Sequence, residues 1–411
     1  MKFIFLFILF LIQAIEIFSN PIIEKFQNGK IKKSYQRDRQ GWLTGAYKEY
    51  FLNGNLKISA IYENNKIHGF YYEYDEGGKI TLERKYFEGK KNGKENVYRQ
   101  GVLENSNIFI LDELAFSRSI EEIKKSIKTI QETEIAFEGV WPECYLKNTE
   151  LTEKVIKENE DCLKILMIYR YLCEVPYKNL SINREYIAKA MAANDIGNRN
   201  KFISHFPPNP GMSEKDFKFA SSGAASCNLF YSSKDLPIEF AIHYFMNDSD
   251  NMNREKLGHR RWCLSPQMKS TAFAISGKAV SMYSIDLRLN EIPETDFFAF
   301  PPRGFTPIEY FKSGYVWSVT LNPKKYNKVE LKSLKISVKE FDVDYLEMNT
   351  PALELEYANV NSEYIAMDSS CIIFKPKNAK AEIGKKYKVE ITGLSPKSKS
   401  PKIISYFIEF Y

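Results

Sequence analysis

The spacing of apolar and polar positions changes several times along this chain of 411 residues. Between residues 45 and 103, aromatic and polar positions alternate, and the pattern recurs with a period of 24 residues. Two sets of residues keep this spacing: Gly45, Gly69 and Gly93, and Tyr50, Tyr74 and Tyr98. Alternation that ends in Asn-Gly or Gly-Gly is typical of β-hairpins. The pattern therefore predicts a stack of similar hairpins near the start of the chain.

Helical spacing follows the repeat. Isoleucines recur every three or four residues between Asp112 and Glu134, which predicts a connecting helix. A second apolar stripe predicts a helix that ends before Pro176, and its members are Val155, Cys162, Leu166, Tyr169 and Cys173. Residues 182–195 have the same spacing and predict a third helix. A fourth helix is expected to begin at Pro237, because proline is favoured in the first turn.

The pattern returns to alternation in the last part of the chain, from about Val329 onward. Tyr387, Val389 and Ile391 alternate strictly with polar residues, which indicates a half-buried antiparallel strand. Four other short runs of this kind are separated by turn residues. Together they predict a small β-sandwich of immunoglobulin-like type over residues 326–411.

The first residues, MKFIFLFILFLIQAIEIFSNP, combine a positive end at Lys2 with an apolar run from Phe3 to Ile15. This run is too short for a comfortable transmembrane helix, and Glu16 interrupts its continuation. We therefore expect residues 1–19 to be a signal peptide that is cleaved near Ser19. The alternative is an uncleaved anchor. No other stretch is apolar enough to span a bilayer, so the mature protein is expected to be secreted, periplasmic or at the cell surface.

The charge of the chain argues against a nucleic-acid partner. The sequence has 58 basic and 52 acidic residues, which gives a net charge of +6. A nucleic-acid-binding protein would instead concentrate lysine and arginine on one face. Six cysteines are present: Cys144, Cys162, Cys173, Cys227, Cys263 and Cys371. Export would allow disulfides, but the sequence does not select among the possible pairings, and some or all of the cysteines can be free and buried.

Two parts of this chain resemble known families. The 24-residue units, such as GAYKEYFLNGNL and GFYYEYDEGGKI, resemble MORN repeats, whose units are β-hairpins that serve as interaction or spacer elements. The segments LMIYRYLCEVP, SHFPP, SCNL and GHRRW, in this order, resemble the CAP superfamily of secreted proteins. That resemblance implies an α-β-α sandwich, with the GHRRW segment as a strand.

The combined expectation is an α+β multidomain protein. Its predicted parts are a signal peptide (1–19), MORN-type β-hairpin repeats (20–108), a helical connector (109–147), a central CAP-like α-β-α sandwich (148–325) and a C-terminal small β-sandwich (326–411).

The CAP resemblance also implies a cleft that contains two histidines. His205 and His259, among the four histidines of the chain, match the motif positions. Cys227 and Asp248 fall where the family has two glutamates, and Asn228 follows Cys227. Two histidines, a thiolate and a carboxylate are ligand types that zinc accepts. The cleft could therefore hold a divalent metal, with His205 and His259 as the main ligands, or it could contain hydrogen-bonded histidines without a metal. Cys227 could instead be a free buried thiol or form a disulfide with Cys263.

We expect recognition to be the function, because no complete set of nucleophile, base and oxyanion donors is visible. The expected ligand is an extracellular protein, a polysaccharide or a small apolar molecule. The alternative is a metal-dependent hydrolase that uses His205 and His259.

Overall fold

The computed structural model describes residues 21–87, 89–109, 118–142, 150–232, 237–289, 292–341, 351–363, 365–397 and 400–411. The predicted signal peptide and Cys144 lie outside these residues. The described chain divides into two compact units, residues 21–109 and residues 118–411. No helix within the described ranges is long and apolar enough to cross a membrane.

The first unit is an eight-stranded antiparallel sheet whose strands follow their order in the sequence. The strands are β1 (Ile22–Lys25), β2 (Ile31–Arg37), β3 (Leu43–Tyr50), β4 (Leu56–Glu63), β5 (Lys66–Tyr74), β6 (Ile80–Phe87), β7 (Lys90–Arg99) and β8 (Val102–Phe109). Gly54 and Gly78 occupy turns with φ of 101° and 83°, a conformation that favours glycine. The predicted hairpins are therefore present, while the assignment to MORN repeats stays a prediction.

Six helices lie in the described part of the second unit: α1 (Ile120–Glu132), α2 (Glu153–Leu172), α3 (Arg184–Asn200), α4 (Glu214–Ser226), α5 (Phe240–Asn247) and α6 (Gly258–Cys263). Helix α1 begins with a capping box between Ser119 and Glu122 and buries Ile123 and Ile130, as its isoleucine spacing predicts. Helices α2 and α3 also lie where they were predicted. Helix α5 begins three residues after Pro237.

Helix α4 was not predicted. Its sequence, EKDFKFASSGAAS, contains many small residues and no continuous apolar stripe. The Ser213 side chain caps its first turn by accepting a hydrogen bond from the Asp216 backbone. The helix packs closely on α3, which the small side chains of its second half allow. A start signal was therefore present in the sequence, but the periodicity that identifies a helix was weak.

The second unit contains a five-stranded sheet in the order β11-β13-β12-β10-β9. Its strands are β9 (Phe137–Glu138), β10 (Ser181–Asn183), β11 (Cys227–Tyr231), β12 (Ser270–Ser276) and β13 (Ala279–Tyr283). Helix α2 is joined to β12 by Asn159, whose side chain bonds both the N–H and the C=O of Phe273 at 2.7 and 3.0 Å. Asn159 is fully buried, and its amide also donates to the carbonyl of Val155 at 2.9 Å, so both of its amide hydrogens and its oxygen have partners.

Two four-stranded sheets complete the second unit, in the orders β14-β16-β19-β18 and β15-β21-β20-β17. Their strands are β14 (Phe297–Phe300), β15 (Gly304–Thr306), β16 (Trp317–Leu321), β17 (Lys335–Phe341), β18 (Leu355–Asn361), β19 (Cys371–Pro376), β20 (Lys386–Thr392) and β21 (Ile404–Phe410). Each of these sheets combines strands from before and after residue 325. Tyr387, Val389 and Ile391 are buried, as their alternation predicts.

The predicted fold class is wrong. The described residues are mostly β, with 36% in strands and 23% in helices, and their four sheets do not match a central α-β-α sandwich followed by a separate C-terminal sandwich. The burial of β14 and β16 explains part of this difference between the expected and the observed fold. Strand β16 is buried along nearly its whole length, so it needs a neighbour on each edge. Strand β14 provides one and β19, from the tail, provides the other.

Candidate functional site

His259 lies at the start of helix α6. The GHRRW segment was expected to be a strand, and this expectation is wrong because residues 258–263 are helical. Leu257 precedes the helix with φ of 49°, in the left-handed region, and this turn redirects the chain into α6. The arginines at positions 260 and 261 are buried on the helix rather than exposed on alternate sides of a strand.

The imidazole of His259 is held by Asp248. Its Nδ1 donates to the Asp248 carboxylate, with 2.9 Å between Nδ1 and Oδ1. The second carboxylate oxygen of Asp248 accepts from the backbone N–H of Arg260 at 3.3 Å. The ring of Phe245 packs against the imidazole, with 5.2 Å between ring centroids. With Nδ1 as the donor, neutral His259 has its free lone pair on Nε2.

Arg260 holds the chain around this pair. Its guanidinium is buried and donates to the carbonyls of Met246, Asn247 and Val316 and to the hydroxyl of Ser318. Burial lowers the pKa of Arg260 to about 10, and the nearby Asp248 carboxylate opposes this effect. The side chain is therefore still charged near neutral pH. Its hydrogen bonds link the end of α5 and the start of strand β16 to helix α6. They therefore fix the position of the backbone around His259.

His205 lies in the loop between α3 and α4. Its Nδ1 is 3.0 Å from the carbonyl oxygen of Ala224, in the last turn of α4. A carbonyl oxygen only accepts, so Nδ1 of His205 must carry the proton. Neutral His205 therefore also has its free lone pair on Nε2. The helix that the sequence did not reveal is the element that orients the first histidine.

A cleft of about 330 Å³ brings most of the predicted site residues together. Its lining includes His205, Cys227, Asn228 and His259. Asp248 does not line the cleft. It lies behind His259, and its contribution is to orient the imidazole.

Asn228 has a structural contact within this cleft. Its amide nitrogen donates to the backbone carbonyl of His259 at 3.0 Å and approaches the sulfur of Cys263 at 3.7 Å. Its backbone N–H donates to the hydroxyl of Ser284 at 3.0 Å. Asn228 therefore ties strand β11 to helix α6, and its amide donors are already engaged before any ligand binds.

Cys227 is a free, buried thiol. The described cysteines are all free, so no disulfide joins Cys227 to Cys263. Burial raises the pKa of both thiols well above the usual range. Because the thiolate is the form that binds metal and attacks electrophiles, neither role is favoured for Cys227 at neutral pH.

The residues do not form a complete metal site. Within the described ranges, no group of three or more histidine, cysteine, aspartate or glutamate side chains could hold a metal ion. The cleft offers the Nε2 atoms of His205 and His259, while structural zinc sites use four protein ligands and catalytic sites use three. Asp248 is engaged by His259 and Arg260. A metal in this cleft would need ligand or water atoms to complete its coordination.

The cleft has an apolar edge that the sequence did not indicate. Phe206 is 88% exposed and Met252 is 91% exposed, and both line the cleft together with Trp262 and Ile285. Large apolar side chains that stay this exposed beside a cleft are typical of binding surfaces. Phe206 directly follows His205, so the SHFPP segment supplies both a polar and an apolar group.

Comparisons with known proteins do not assign a family. No protein-family model matches the chain, and no curated protein matches it. Among solved structures, an extracellular protein containing an SCP domain from Bacillus anthracis strain Ames is similar to this chain with 12% sequence identity and a TM-score of 0.23. The match covers 63% of this chain and 79% of that one. A likeness at this level fixes neither the family nor the function.

Proposed function

We propose that this protein is an exported binding protein and that the cleft between His205 and His259 binds an extracellular ligand. One observation carries the proposal: two oriented histidines line a cleft that also exposes Phe206 and Met252. Binding sites typically combine an apolar surface with a few polar groups of fixed orientation. The resemblance to CAP proteins contributes the positions of the two histidines to this proposal and contributes nothing about the fold.

The two histidines define the polar part of the ligand. The Nδ1 atoms of His205 and His259 are both engaged as donors, so the neutral imidazoles present acceptors at Nε2. The matching ligand groups are hydrogen-bond donors, such as hydroxyl or amine groups. The apolar part of the ligand would lie against Phe206 and Met252. A small apolar molecule with a hydroxyl group, or a tyrosine or tryptophan side chain of an extracellular protein, meets both requirements.

The alternative function is a metal-dependent hydrolase. The hydrogen bond between Asp248 and His259 favours it, because a carboxylate that orients a histidine is common at metal and general-base sites. The incomplete ligand set and the raised pKa of Cys227 disfavour it. If zinc were bound, His205 and His259 would hold it, and the metal would supply Lewis acidity at the floor of the cleft.

An NMR fragment screen on the full chain tests the binding proposal. The protein is labelled at histidine nitrogens and exposed to small aromatic alcohols and amines, and the signals of His205 and His259 are followed. We expect hits that shift both signals and that lose affinity in the Phe206→Ser/Met252→Ser variant. The matched control is His68→Gln, which changes a histidine in the other unit. Fragments that bind the Phe206→Ser/Met252→Ser variant as tightly as the native chain would contradict the proposal.

Zinc addition separates the two functions in the same sample. Tight zinc binding that depends on His205 and His259, together with hydrolysis of an ester or peptide probe, would favour the hydrolase. Fragment binding without metal-dependent hydrolysis would support recognition.

A further inference from the structure

A second cavity lies on the surface of the larger unit, apart from the histidine cleft. Its volume is about 540 Å³, within the range of small-molecule sites. None of the residues that line it also lines the histidine cleft. Its floor is apolar, and Val175, Leu180 and Met268 on that floor are buried. We propose that this cavity is a separate binding site for a small aromatic anion.

The walls of the cavity are held by a buried arginine. Arg170, at the end of α2, donates to the carbonyl of Pro176 at 2.8 Å and to the carbonyl of Ser265 at 2.7 Å. Pro176 lines one side of the cavity, and Pro266, which follows Ser265, also lines it. Arg170 is fully buried, so its bonds join the two segments from inside the protein. The cavity is therefore already formed before a ligand arrives.

Tyrosine and proline rings on the lining of the cavity are the basis for proposing an aromatic ligand. Tyr171 and Tyr177 line the cavity and contact each other edge to face, with 5.5 Å between ring centroids. Three prolines line it as well: Pro176, Pro266 and Pro293. A flat ring can stack on tyrosine or on the face of proline, and such contacts add to the gain from apolar burial.

The charges around the cavity favour an anion. The carboxylate of Glu174 is neutralised by Arg303, whose Nε donates to it at 2.7 Å, and by Arg118 at 3.7 Å. Arg118 also donates to the carbonyls of Tyr171 and Leu172. Lys178 lies on the lining and is exposed. Among the residues that line the cavity, Arg118 and Lys178 are positive and Glu174 is negative, so the net charge of the lining is +1.

Lys178 is the side chain that we assign to binding the anionic group of the ligand. Among the described carboxylates, none forms an ion pair with it, whereas the guanidinium of Arg118 is already engaged. Its long side chain can move over the cavity, and an ammonium group binds carboxylate or sulfonate oxygens without a fixed geometry. The ligand class is therefore an aromatic ring system that carries one carboxylate or sulfonate.

A pair of fluorescent probes tests this assignment on the full chain. Anilinonaphthalene sulfonate is an aromatic anion, and phenylnaphthylamine has the same rings without the charge. We expect saturable binding of the sulfonate by the native protein. The Lys178→Glu variant should weaken binding of the sulfonate about tenfold, because a favourable charge becomes a repulsive one, and should leave the neutral probe unchanged. Lys402→Glu, the same change at another exposed lysine, is the control.

Two further variants locate the bound probe. Leu289→Trp fills the cavity, and Asn179→Trp covers its exposed edge, so either should abolish binding of the sulfonate while the circular dichroism spectrum stays native. His259→Ala should leave it unchanged, because that residue lies in the other cleft. The proposal is overturned if both tryptophan variants bind the sulfonate like the native chain, if His259→Ala removes binding, or if Lys178→Glu affects both probes equally or neither.

Discussion

The carboxylate of Asp248 and the imidazole of His259 are 2.9 Å apart, and the Asp248 side chain is entirely buried. This hydrogen bond crosses from the residue that ends α5 to the first turn of α6. Asp248 has φ of 48°, a left-handed conformation that aspartate and asparagine tolerate better than most residues. The pair fixes the orientation of His259, which would lower the entropy cost of binding the proposed ligand.

The first prediction concerns this pair. Asp248→Asn keeps the size and the tolerance of the left-handed conformation but removes the charge. We expect a loss of about 2 kcal/mol in the free energy of unfolding, because a charge-assisted hydrogen bond is weakened and Arg260 loses its nearest counter-charge. Urea unfolding measures the loss. Histidine NMR should also show a changed His259 signal.

Asp195→Asn provides the matched control for that experiment. Asp195 forms an ion pair with Arg199 on the surface of α3 at 2.7 Å. Surface pairs contribute little, so this variant should lose less than about 1 kcal/mol. Equal losses in both variants would show that the buried pair contributes no more to the free energy of unfolding than a surface pair does.

The second prediction concerns the thiols. The five described cysteines are buried and free. Burial raises the pKa of Cys173 to about 12 and raises those of Cys162, Cys227 and Cys263 well above the usual range. In a Cys144→Ser variant, a disulfide reagent at pH 8 should therefore detect almost no thiol in the native protein and five after unfolding. Fast reaction of the native protein, lost in Cys227→Ser, would show that the cleft thiol is accessible and ionised.

The third prediction concerns pH. Burial, together with the charge of Lys312, lowers the pKa of His243, whose Nδ1 lies 2.7 Å from the hydroxyl of Tyr169. Between the folded and unfolded pKa values, the unfolded chain binds more protons. The contribution to stability is therefore complete above a pH of about 6.5, the usual histidine value, and falls as pH decreases below it.

Urea midpoints between pH 7.5 and 5 measure this effect. His243→Asn should flatten the decline at acidic pH, since asparagine can accept the same hydrogen bond without titrating. His68→Asn, in the other unit, serves as the comparison. An unchanged slope in His243→Asn would mean that other groups produce the pH dependence.

The fourth prediction concerns two glycines near the cleft. A Cβ at Gly223 would lie 2.2 Å from the carbonyl oxygen of Lys189, so α4 packs on the backbone of α3 through this glycine. Gly223→Ala should destabilise the protein by about 1–3 kcal/mol and displace Ala224, which holds His205. A Cβ at Gly258 would meet nothing within 4 Å. Gly258→Ala should therefore be neutral or stabilise by up to about 1 kcal/mol. Thermal melts of the two variants compare them directly, and equal melting temperatures would contradict the packing argument.

Local sequence predicted the elements whose signals are local. The alternation around Gly54 and Gly78 predicts hairpins because turn chemistry and strand period lie within a few residues of each other. The isoleucine spacing that leads to Ile123 and Ile130 predicts α1 for the same reason. Helix α4 was not predicted because it has no continuous apolar stripe. Close packing of its small residues on α3 stabilises it instead.

Only the tertiary structure decided the fold class and the details of the site. The sequence placed His205 and His259 in one cleft through a resemblance, but it gave no sign that Ala224 and Asp248 bond their Nδ1 atoms. It also left open which strands would flank β16, and the tail provides one of them. These contacts join segments far apart in the chain, and they form where packing brings buried polar groups and the hydrogen-bonding edges of strands together. The sequence therefore determined the local periods and the types of side chain available, whereas long-range burial and hydrogen bonding determined which of those side chains meet.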